Sequence, residues 1–180
     1  MPTYISMLRG INVSGQKPVK MDQLRRMFEA LGFTQVKTYV QSGNVVFQAK
    51  KGSPADLSRK IEAGILAEFG FDVPVVSKTA EEIGHAIQNN PFLKEKAIDP
   101  TKLHVTFLSG APAKPALEKL SALAAEPDRF YSHASEIYLH CPNGYGRTKL
   151  SNNALEKLLS LRATTRNWKT VNELYRMATE

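Results

Sequence analysis

The chain has 180 residues, 42% of them hydrophobic and 23% charged, and Lys plus Arg exceed Asp plus Glu by seven. That composition excludes a disordered chain and a collagen-like fibre, and a single cysteine, Cys141, excludes an intrachain disulfide scaffold. No apolar run approaches the roughly 18 residues of a membrane span, and the N-terminus starts like a strand, so a cytoplasmic protein with no membrane contact is expected.

Residues Thr3 to Leu8 alternate around Ile5 and Met7 and predict a strand, followed by a polar, Gly-containing loop from Arg9 to Lys20. Met21, Leu24, Met27, Phe28 and Leu31 fall at helical spacing, and Gly32 is a suitable stop. Val36–Val40 and Asn44–Phe47 predict two strands joined by Gln41-Ser42-Gly43-Asn44, where Gly and Asn tolerate a positive φ. Ser53-Pro54 starts a second helix with the stripe Leu57, Ile61, Ile65 and Phe69, and Gly70 ends it before a strand at Val73–Val76. The order β-α-β-β-α-β is the split βαβ, or ferredoxin-like, arrangement, in which two helices cover one face of an antiparallel sheet.

Thr79 and Glu82 have capping-box spacing at the start of a helix reaching about Gln88, and the prolines at 91 and 100 mark a loop. Leu103–Leu108 predicts a strand, Pro115–Ala125 a helix, and Arg129–Tyr131 with Glu136–His140 a hairpin. Asn153–Leu161 and Trp168–Ala178 predict closing helices, the last capped by Thr164 or Thr165. The segment from Tyr4 to Gly10 aligns with that from His104 to Gly110 at a constant offset of 100. With the matching element order, this indicates an internal duplication. The expected fold class is therefore α+β: two tandem ferredoxin-like subdomains, 1–78 and 79–180, with antiparallel sheets and C-terminal helices.

The charge is local. Residues 9–26 carry +4, residues 144–169 carry +5, and the rest of the chain is slightly negative at −2. Such windows attract anions. The first holds Gly10-Ile11-Asn12-Val13-Ser14-Gly15-Gln16-Lys17. It fails the Walker A pattern, because Gln16 precedes Lys17 and Pro18 follows it, but Arg9, Asn12 and Lys17 remain candidate anion contacts. The second holds Asn143-Gly144-Tyr145-Gly146-Arg147-Thr148-Lys149 just before a helix, which offers Tyr145, Arg147 and Lys149. The four histidines have no metal-ligand spacing, and there is no nucleophile elbow, so neither a metal nor a cofactor is expected. Cys141 reads as a structural, half-buried thiol.

Four segments together resemble one family. They are Leu8-Arg9-Gly10-Ile11-Asn12-Val13, then Thr38 to Phe47 (TYVQSGNVVF), then Tyr145 to Asn152 (YGRTKLSN), and Thr164 to Val171 (TTRNWKTV). The resemblance is to the small, mostly bacterial proteins of domain-of-unknown-function family 1697. It implies two ferredoxin-like subdomains and no assigned activity. The motifs coincide with the basic windows and the first hairpin, which adds Gln41, Asn44, Arg166 and Asn167 to the candidate contacts. Members commonly carry a Gly pair where this chain has Ser14-Gly15.

Three readings follow. In the first, the protein binds a phosphate-bearing or other anionic ligand, a nucleotide or nucleic acid, in a basic cleft joining both windows. In the second, it is an enzyme acting on a small anionic substrate. In the third, the motif residues are structural and join the subdomains. Base stacking of the RRM kind is disfavoured, since Asn44 and Val46 stand where aromatics are needed and only Tyr4 fits.

Overall fold

Strand β1 (Thr3–Leu8) buries both faces: Tyr4 and Leu8 point to one side, Ile5 and Met7 to the other, all at 0–1% exposure. It is the centre of a sheet that also contains β2 (Thr34–Tyr39), β3 (Asn44–Gln48) and β4 (Val75–Thr79), in the antiparallel order β2-β3-β1-β4. Helices α1 (Met21–Ala30) and α2 (Pro54–Phe69) cover the Tyr4 face with Leu24, Phe28, Ile61 and Ile65. Phe47 anchors this core, its ring 4.6 Å from that of Phe33 and 5.2 Å from that of Phe28. Truncating such a residue to alanine costs about 3–5 kcal/mol. Gly70 ends α2 in the left-handed conformation, as its position predicts. Helix α3 (Ala80–Gln88) follows β4, and its capping box is made: the Thr79 amide donates to Glu82 Oε2 at 2.8 Å and the Glu82 amide to Thr79 Oγ1 at 3.0 Å.

A second sheet repeats the first. Strands β5 (Leu103–Leu108), β6 (Arg129–His133), β7 (Glu136–His140) and β8 (Ala163–Asn167) are ordered β6-β7-β5-β8. Helices α4 (Lys114–Leu123) and α5 (Asn152–Leu159) serve it, and α6 (Trp168–Thr179) follows β8 as α3 follows β4. The fold class is α+β with two ferredoxin-like halves, as expected. The correspondence reaches single bonds. The Leu8 amide donates to Gly43 O and the Leu108 amide to Ser135 O; the Arg9 amide donates to Pro74 O and the Ser109 amide to Arg162 O.

Two local expectations change. Residues 163–167 form strand β8, where the sequence predicts only a helix cap, because Thr106 pairs with Thr165 and Leu108 with Ala163 along β5. Pairing with a neighbouring strand outweighs the weak local preference of a Thr-Thr-Arg-Asn run. The stretch read as plain loop contains two 3-10 turns, Pro91–Lys94 and Pro100–Lys102, each started by a side chain, Asn90 or Asp99, that accepts a backbone amide.

All of residues 1–180 are described by the computed structural model. They divide into two compact units, Met1–Ile83 with Leu174–Glu180, and Gly84–Glu173.

Candidate functional site

The first basic window belongs to the first unit. The loop between β1 and α1 carries five left-handed residues, Gly10, Asn12, Ser14, Gly15 and Lys17, with φ between 47° and 79°. Three of them are not glycine, an unusual density for so short a segment. Hydrogen bonds enforce the shape. The Asn12 amide group donates to Val19 O at 2.9 Å and Gln41 O at 2.8 Å, while its oxygen accepts the Val19 amide at 2.8 Å. The Asn12 backbone amide reaches Lys17 O at 3.0 Å, and Lys17 Nζ donates to Asp72 O at 2.5 Å. The polar atoms of Asn12 are thus committed to the loop, and Lys17 ties it to the segment after α2. Asn44 is buried in the hairpin and donates to Tyr39 O at 3.0 Å and Ser42 Oγ at 3.1 Å. Gly43 cannot be replaced, since a Cβ there would lie 2.7 Å from Ile11 Cδ1 and 2.8 Å from Leu8 Cβ at a φ of 89°.

This bracing sets the hairpin tip beside the start of α1. Lys20, Met21, Asp22, Gln23, Arg26 and Gln41 line a shallow, open recess of about 570 Å3. The N-cap of α1 is Lys20, extended at φ −77° and ψ 135°, and it makes no side-chain cap bond. The helix cannot satisfy its own first-turn amides, and a lysine has no acceptor to offer them. Lys20 and Arg26 are exposed. Both belong to the basic window, but the recess exists only once the hairpin packs against the loop. Arg9, at the end of β1, is partly buried.

The second window belongs to the second unit. Arg147 and Lys149 are exposed and line a smaller recess of about 210 Å3 that also contains Glu126 and Asp128. Tyr145 stacks on His104, with ring centroids 5.0 Å apart and planes at 25°. Burial holds the His104 imidazole below its ordinary value of 6.5. His104 is not among the candidates; its signal is its alignment with Tyr4 at the offset of 100. Arg166 lies in β8, partly buried, and donates from Nη1 to Thr165 O at 3.1 Å; burial pushes its guanidinium down to about 10. Asn167 is the cap of α6, its Oδ1 accepting the Thr170 amide at 2.8 Å. It takes the place predicted for Thr164 or Thr165, so Arg166 stands before the helix rather than in its first turn. Cys141 is buried, and desolvation raises its thiol to about 11. The ten candidates are thus divided by unit: Arg9, Asn12, Lys17, Gln41 and Asn44 in the first, Tyr145, Arg147, Lys149, Arg166 and Asn167 in the second.

The sheet faces offer no platform for stacked bases. Tyr4 sits in the helix-covered core with its hydroxyl donating to Gly52 O at 3.1 Å, and Ile5 and Met7 on the opposite side are fully buried. No group of three His, Cys, Asp or Glu is placed to hold a metal ion, and no helix is long and apolar enough to cross a membrane.

Two four-stranded antiparallel sheets, each with its helical layer, place this molecule among α+β proteins built from ferredoxin-like halves. More particularly, the chain belongs to the family described as "Protein of unknown function (DUF1697)", whose model matches residues 1–138. No curated protein matches it. Among solved structures, the conserved bacterial protein SP0830 from Streptococcus pneumoniae is similar, with a TM-score of 0.79 and 23% identity over 98% of each chain. That likeness is one of fold.

Proposed function

We propose that this protein binds a phosphate-bearing anion, as a free phosphate compound or nucleotide, in the recess at the start of α1. The observation that carries the reading is the helix start itself: first-turn amides without a side-chain cap, opening beside Lys20 and Arg26. Such amides and the positive end of the helix dipole favour an anion. Lys20 and Arg26 outnumber the one carboxylate, Asp22, and Gln41 adds an amide donor. The strained loop and the Asn12 bonds hold this geometry before a ligand arrives, which reduces the ordering cost of binding. Nucleotide-size ligands suit the volume, which falls in the roughly 300–1,000 Å3 range of small-molecule sites.

The test is a thermal-shift screen of the full chain against inorganic phosphate, pyrophosphate, nucleotides and short oligonucleotides, at low and moderate salt. A ligand at about a hundredfold over its Kd adds about 2.7 kcal/mol, and a shift that shrinks with salt marks phosphate contacts. The Lys20→Ala, Arg26→Ala double variant should lose that shift. An unchanged shift in the double variant contradicts the reading, as does the absence of any shift.

A further inference from the structure

In the second unit, the register of β6 and β7 sets Arg129 opposite His140. The segment entering β6 and the segment leaving β7 therefore run side by side. Between them lies the recess of about 210 Å3, with Glu126, Pro127, Asp128, Asn143, Arg147 and Lys149 in its wall. Two cations and two carboxylates converge here, yet none pairs with another. In each unit, opposite charges close directly: Arg129 bonds Glu95 through both terminal nitrogens at 2.8 and 3.0 Å in the second, and Arg25 meets Glu29 at 2.8 Å in the first. Arg129 is the sequence neighbour of Asp128, and it turns away to Glu95.

Opposed charges held apart around one small space leave it with separate positive and negative sides. A simple anion drawn to Arg147 and Lys149 also meets the field of Glu126 and Asp128, and a simple cation meets the reverse. A molecule carrying both charges satisfies both sides at once. We propose that this recess binds a free α-amino acid. Its carboxylate would be held by the Arg147 fork and Lys149, its ammonium by Asp128 and Glu126, with the Asn143 amide able to serve either group. The space is about seven waters' worth at ~30 Å3 each, and lies below the roughly 300 Å3 at which drug-sized sites begin. The occupant is therefore small, with its side chain against Pro127. This site stands on residues separate from the proposed phosphate site, so either proposal can fail alone.

The test is a residue-resolved amide NMR titration of the full chain with L-alanine, beside N-acetylalanine, alanine methyl ester and acetate. L-alanine should shift the amides of segments 125–128 and 143–149 (Pro127 apart), and the two blocked alanines should bind at least about tenfold more weakly, since each lacks one charge. Asp128→Asn and Arg147→Gln should each weaken L-alanine by about tenfold with the rest of the amide spectrum unchanged, because neither side chain makes a bond within the fold. Equal binding of acetate or N-acetylalanine would overturn the proposal by showing an anion site only. So would the absence of any shift in these segments at saturating millimolar L-alanine.

Discussion

Asn12 grips the peptide of Val19 at both ends, donating to its carbonyl at 2.9 Å and accepting from its amide at 2.8 Å. Its remaining hydrogen goes to the Gln41 carbonyl at 2.8 Å. One side chain thereby closes the loop after β1 and couples it to the β2–β3 hairpin, which is what sets Gln41 beside Lys20.

Replacing Asn12 with alanine removes three hydrogen bonds at a partly solvated position. At about 0.5–1.5 kcal/mol each, with water compensating in part, the loss should be about 1–3 kcal/mol in urea denaturation. Asn12→Asp should be no better, since the oxygen that replaces Nδ2 would face the Val19 and Gln41 carbonyls. Unchanged stability in both variants would contradict the clasp.

Ser14 sits at φ 51° beside Gly15 at φ 75°. A left-handed L-residue costs roughly 1–2 kcal/mol, part of which glycine regains and part of which its unfolded-state freedom cancels. Ser14→Gly should therefore raise the stability by about 1 kcal/mol, seen as a higher melting temperature.

Buried hydroxyls bridge each sheet at matching places. Ser77 Oγ lies 2.7 Å from Ser6 Oγ and accepts from Ser58 Oγ at 2.9 Å; Thr165 Oγ1 lies 2.7 Å from Thr106 Oγ1 and donates to Asn152 Oδ1 at 2.7 Å. Ser77→Ala leaves two buried hydroxyls without this partner and should cost about 1–3 kcal/mol. The double variant Ser6→Ala, Ser77→Ala should cost less than the two single losses combined, which a double-mutant cycle measures.

The pH dependence follows from His104, whose folded-state pKa is depressed by burial. The unfolded chain binds the proton more readily, so this contribution to stability is intact above 6.5 and is lost as the pH falls through the depressed value. Denaturant midpoints compared at about pH 7 and about pH 5 should fall toward acid, and His104→Phe should flatten part of that fall. A wild-type midpoint that rises toward acid would contradict the assignment.

The halves of the fold were legible because their cores are written in simple periodicities: Ile5 and Met7 in a strand, Leu57, Ile61 and Ile65 in a helix, and the His104 segment repeating the Tyr4 segment. Strand β8 was hidden because Thr164, Thr165 and Arg166 carry no apolar alternation; their pairing with β5 is a tertiary fact. The candidate residues divide on the same line. Asparagines 12, 44 and 167 stood out by type; Asn44 and Asn167 bond locally, within their hairpin and helix start, but the bond of Asn12 to Gln41 joins segments that meet only on folding. Lys20 and Arg26 gain their meaning from the bare helix start and the nearby Gln41, and no local pattern announces that juxtaposition.

An NMR titration of the full chain with inorganic phosphate examines the first-turn amides of α1 directly. The amides of Met21, Asp22 and Gln23 should move with a saturable dependence on phosphate, and stay still in the Lys20→Ala, Arg26→Ala variant. Stationary amides in the parent protein, or movement that persists after both cations are removed, would contradict an anion site at this helix.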